Sequence, residues 1–197
     1  MDNQQLQELI LQSLEHEMGG VKVYTTALTC VLEDDLDEEW QKYLAQTKTH
    51  VEALREMCAL LGIDAAAESP GRAVVRGVGA ALVEAMKKAL DAGDEGAAQL
   101  VACECVVLAE TKDHLDWELL AKCADHVPRD VKKQIHEIVQ RVEDEEDEHL
   151  YHTRGWCREL WIRSLGLKAV LPPPEEKKKV KTAIGAARAE QSAGEHR

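Results

Sequence analysis

Between residues 135 and 162 the apolar side chains Ile135, Ile138, Val142, Trp156 and Leu160 recur on one face of an α-helix, the face that a core requires. Continued through the gap, that face passes through positions 146 and 149, where Glu146 and His149 stand in place of leucines. A carboxylate and an imidazole buried without partners cost several kcal/mol, so something must offset them. A metal ion does so directly, because residues three apart on a helix converge on one point and both groups are metal ligands. The neighbouring Glu143, Asp144, Asp147 and Glu148 read as the solvated side of an acidic run.

The same interruption recurs in three other segments. A first helix over about 4–32 carries the seam Leu6, Ile10, Leu14, Val21, Tyr24, Leu28 and Val31, broken by Glu17. A second, over about 36–62, carries Trp40, Tyr43, Leu54, Met57 and Leu61, is broken by Thr47 and His50, and stops at Gly62. After Gly93-Asp94 a further helix runs to about 125 on Leu100, Cys103, Val107, Trp117, Ala121 and Ala124. Glu110 breaks its seam, with Asp113 and His114 on either side of the line. Pro128 is expected to open the last long helix, which ends near Gly166. Ser69-Pro70 starts a shorter helix to about 91, rich in small side chains, which reads as a crossover on the outside of a bundle.

Composition agrees with an all-α chain. The five prolines stand at 70, 128 and 172–174, phenylalanine is absent, and a core of Leu, Val, Ile and Ala favours packed helices. At 197 residues a single domain over 1–166 is expected, followed by a Pro/Lys/Ala-rich tail over 167–197 whose composition predicts a mobile segment, with a docking peptide as the alternative. The net charge is −13, and the tail is basic, so the body repels nucleic acid and anionic membranes. The longest apolar stretch, AAQLVACECVVLA, is too short for a bilayer, and a cytoplasmic protein is expected. Six cysteines without CxxC spacing read as reduced core residues.

The breaks form a repeat. Glu17 lies seven residues before Tyr24 and Glu110 seven before Trp117; Thr47-x-x-His50 follows the first pair and Glu146-x-x-His149 the second. The chain thus reads as two copies of one helix hairpin. With glutamates on its first and third long helices and ExxH on the fourth, it resembles the ferritin-like superfamily of di-metal carboxylate proteins, which includes rubrerythrins and manganese catalases. The resemblance spans about residues 5–165 and implies a ferritin-like four-helix bundle of two antiparallel hairpins, the short helix being its crossover. It further implies a metal site of Glu17, His50, Glu110, Asp113, Glu146 and His149, holding one or two ions of iron or manganese. The implied chemistry is Fe(II) oxidation or reduction of O₂ or peroxide, with an electron donor that the sequence does not name.

Two residues depart from the family pattern. Thr47 stands where a second bridging glutamate belongs and is expected to line an open coordination position; Trp117 replaces the second tyrosine. The alternative expectation is therefore a non-catalytic bundle with a degraded metal site, acting through its surface or tail; an iron-storage cage is a third. A homodimer is expected from the fold. Among the other histidines, His16, His126 and His136 fall off the seams and read as surface, while His114 and His152 are within reach of the site's rim.

Overall fold

The computed structural model describes residues 2–170, and among these it contains five α-helices and no strand. They are α1 (Asn3–Ala27), α2 (Asp34–Leu61), α3 (Pro70–Asp91), α4 (Glu95–Ala124) and α5 (Lys132–Ser164). No helix among the described residues is long and apolar enough to cross a membrane. The tail expectation lies outside the described residues from 171 onward.

Local signals account for most boundaries. The Asp2 carboxylate accepts from the N–H groups of Gln4 and Gln5, at 2.9 and 3.2 Å. Gly62 closes α2 at φ +69°, a left-handed conformation that favours glycine, and Ser69 Oγ accepts from Arg72 N to start α3 behind Pro70. Two ends differ from the sequence reading. The first helix stops at Ala27, not near 32, because Thr25, Thr26 and Thr29 hydroxyls bond back to carbonyls of the last turns and Leu32 N–H is taken by Gln99 Oε1 of α4. Pro128 does not open α5; its carbonyl accepts from Val131 and Lys132, forming a turn ahead of the helix.

The core is split into two apolar layers. One joins the start of α1 (Leu6, Ile10, Leu14) to the end of α2 (Leu54, Met57), the end of α4 (Trp117, Leu120) and the start of α5 (Ile135, Val142). The other joins the end of α1 (Val23, Tyr24, Ala27) to the starts of α2 and α4 and the end of α5 (Trp40, Ala102, Trp156, Leu160). These memberships fix the directions: α1 and α5 run one way, α2 and α4 the other. The chain must therefore travel the length of the bundle between α2 and α4, and α3 does this, packed on α1 and α4. Between the two layers lies a polar level.

Candidate metal centre

Each of the four long helices contributes to that level because its seam is broken at mid-length. Glu17, Thr47, His50, Glu110, Asp113, Glu146 and His149 are all buried, none more than 4% exposed. Two triads of ligand atoms lie within 4.8 Å of one another: His50, Glu146 and His149, and Glu17, Asp113 and Glu146. Glu146 belongs to both. Glu110, outside these triads, has Oε2 3.6 Å from His149 Nδ1. The six residues expected from the sequence thus come together.

The atoms converge but do not satisfy one another. His50 Nδ1 is 2.9 Å from Glu146 Oε1 and 3.4 Å from Glu17 Oε1, and His149 Nδ1 is 3.4 Å from Glu146 Oε1. None of these contacts has hydrogen-bond alignment: Glu17 Oε2, His50 Nδ1, Glu110 Oε2, Asp113 Oδ1, both Glu146 oxygens and His149 Nδ1 are buried without a partner. So many unsatisfied groups at one point are rare in a native core. Their spacing matches a ligand shell, since two atoms each about 2.1 Å from one ion, at roughly right angles, lie about 3 Å apart.

The outer surroundings orient these ligands. His50 Nε2 lies 2.8 Å from Glu145 Oε2, and His149 Nε2 lies 3.1 Å from Gln46 Oε1. A ring nitrogen held by an outer acceptor carries the proton, leaving the inner Nδ1 of each neutral imidazole with its lone pair toward the centre. A lone pair facing a carboxylate is repulsive unless a cation lies between them. Without metal, protons must serve. Burial opposes charge on His50, but Glu146 and Glu17 push it up to about 11; likewise Glu146 and Glu110 overcome burial to push His149 up to about 9. Glu17 is raised by burial to about 7, and burial with the nearby carboxylates lifts Asp113 well above its usual range. Against its own burial, Glu146 is held at about 2 by the two imidazoles.

No family model, curated protein or solved structure matches this chain. The reading of the site therefore rests on its own geometry.

The two aromatic residues of the repeat exchange partners. Trp117 of α4 donates its indole N–H to Glu17 Oε1 of α1 at 2.8 Å, while Tyr24 of α1 lies near Glu110 of α4, and burial with that carboxylate raises the phenol. Antiparallel packing explains this: a residue seven positions beyond its own helix's glutamate reaches the glutamate opposite. Thr47 does not present its hydroxyl as a ligand. Its Oγ1 donates to the Tyr43 carbonyl at 2.9 Å, and its methyl points toward Gly20, where an added β-carbon would meet it at 3.3 Å.

Of the remaining histidines, His126 is exposed as expected, and His136 is half-buried, with Nε2 3.2 Å from Asp125 Oδ1. His16 is a correction: it is buried, with Nε2 2.9 Å from the Ala109 carbonyl of α4. The reason is that α1 packs on three helices, so its buried arc is wider than the seam. His114 does sit at the rim, bonded to Asp147 Oδ1 at 2.7 Å. His152 instead meets Glu39 at 2.6 Å, in a cluster where Glu39 also takes the Tyr43 hydroxyl and the Trp156 indole. Those three donors hold the carboxyl below its usual range despite burial. Cys30, Cys58, Cys103 and Cys105 are buried, and among the described residues no cysteine belongs to a ligand triad.

Sequence reasoning missed Glu145 and Gln46. The first is one of several acids in DEEDEH, and only the helix's rotation singles it out. The second lies off the α2 seam and is legible only once α5 is placed beside it.

Proposed function

We propose that this chain is a ferritin-like metal protein that binds iron or manganese at Glu17, His50, Glu110, Asp113, Glu146 and His149. The observation that carries this reading is the set of inward-facing ligand atoms left without hydrogen-bond partners between two apolar layers. The helix directions support it, since two antiparallel hairpins joined by one long crossover are the ferritin-like arrangement. The donor set, carboxylates with two imidazoles and no thiolate, suits iron or manganese. Four carboxylates carry four negative charges, which two divalent ions would neutralise, and Glu146, common to both triads, is the residue placed to serve both.

A bound iron or manganese ion would supply redox chemistry, in Fe(II) oxidation or the reduction of O₂ or peroxide. The chain's own residues do the rest. Glu145 and Gln46 fix the imidazole tautomers, Trp117 holds one oxygen of Glu17, and the apolar layers exclude bulk water. With its hydroxyl bonded to the Tyr43 carbonyl of its own helix, Thr47 would offer the ion no ligand.

The direct test is elemental analysis after incubation with Fe(II) or Mn(II) and removal of free metal. Wild type should retain one or two ions per chain and Glu146→Ala almost none; equal contents refute the site. The Thr47 geometry also favours a second reading, a non-catalytic bundle whose site has lost a ligand, and a protein that retains metal but consumes neither O₂ nor peroxide would establish it. A milder effect is expected at the outer partners. Glu145→Ala should weaken metal affinity about 10- to 100-fold in a competition titration, while the amount bound at saturation stays the same. An unchanged affinity would mean that Glu145 does not orient His50.

A further inference from the structure

A pocket reaches the polar level from outside. It lies between α4 and α5, lined by His114, Trp117 and Glu118 from one helix and Glu143, Glu146, Asp147 and Tyr151 from the other, with a volume of about 240 Å³. Glu118 and Glu143 are exposed, whereas Glu146 is 1% exposed and has both carboxylate oxygens unpartnered. The pocket therefore runs from surface carboxylates to the ligand common to both triads. Among the described residues, no lysine or arginine lines it.

Resting on the metal-site reading above, we infer that divalent cations reach the centre through this pocket, captured at Glu118 and Glu143 and passed inward past Asp147 to Glu146. The size suits a hydrated ion, because six waters at roughly 30 Å³ each fill roughly 180 Å³. The charge suits it as well: a cleft lined by one sign of charge between low-dielectric walls concentrates counter-ions and speeds their arrival. The His114–Asp147 contact joins α4 to α5 across the pocket, and His114 is further placed by its edge-on contact with Tyr151, ring centroids 5.9 Å apart. That contact lies along the inward path, so Asp147 must exchange His114 for the passing cation.

The test separates the rate of loading from its extent. Metal-free protein is mixed with Co(II) at low ionic strength in a stopped-flow instrument; visible absorbance gives the rate and elemental analysis the final content. The pair Glu118→Lys and Glu143→Lys, both on exposed positions, should slow loading at least about tenfold, with the difference shrinking as salt is added and the final content unchanged. Glu118→Gln with Glu143→Gln should fall between. Charge reversal outside the pocket, at Glu84 and Glu95, should leave the rate near wild type. Loading of the pocket variants at the wild-type rate, or equal slowing by the outside variants, overturns this route and leaves the metal site standing. Failure of wild type to take up cobalt, iron or manganese removes the site itself, and the route with it.

Discussion

Stripping metal from the protein with a chelator is expected to lower its melting temperature by about 10 °C, and re-adding Mn(II) to restore it. A ligand that binds only the folded chain stabilises it by about 4 kcal/mol when present at a thousand times its dissociation constant. For a domain of this size each kcal/mol moves the midpoint by about 2–4 °C. The structure gives the reason for so strong a linkage: carboxylates from α1, α4 and α5 meet imidazoles from α2 and α5 at one buried level, and their inner atoms have no hydrogen-bond partners. The Glu146→Ala variant separates this from general salt effects. It should melt at one temperature with and without Mn(II), because the residue shared by both triads is gone. Wild type that melts identically in chelator and in Mn(II) would make the level a polar network held by protons alone.

How far the chain can be read without coordinates depends on which physical relation a residue obeys. Glu17, His50, Glu110, Glu146 and His149 were legible because each interrupts an apolar rhythm set by its own helix, and a rhythm is a local property. Asp113 followed from the family pattern and proved buried beside Glu17 and Glu146. The crossover role of α3 was legible from its caps and small side chains, and its burial of only Arg72, Val75 and Met86 agrees with a helix on the outside. What escaped depends on helix pairing. The seam of α1 marks the face toward the bundle centre, but neighbouring helices cover further faces: His16, read as surface, is buried against Ala109 of α4, and Glu15 against Arg72 of α3. Likewise the Glu39 cluster draws on α2 and α5 together, and nothing in either segment alone announces it.

The second large effect lies at the joint between α1 and the crossover. Replacing Glu15 with alanine is expected to destabilise the protein by about 3–5 kcal/mol, the usual result of breaking a buried ion pair from one side. Glu15 Oε2 accepts from Arg72 Nε at 2.7 Å, and both residues are 5% exposed. Arg72 Nη1 also donates to the Ala65 and Ala67 carbonyls, so the guanidinium pins the connector and the first turn of α3 to α1. Removing the carboxylate strands a buried cation; removing only the outer partner does not. Arg76 reaches Glu15 Oε1 at 2.8 Å with a side chain 44% exposed, and water replaces what it loses, so Arg76→Ala should shift the melting temperature far less. A double variant, Glu15→Leu with Arg72→Met, should regain most of the loss, because an apolar pair of similar volume has no charge to desolvate. Metal content per folded chain should be unchanged in all three, since positions 15 and 17 point to opposite sides of α1, one toward α3 and the other toward the centre. A Glu15→Ala protein as stable as Arg76→Ala would mean that the pair does not hold the crossover, and that the apolar contacts of Val75 and Met86 alone seat α3.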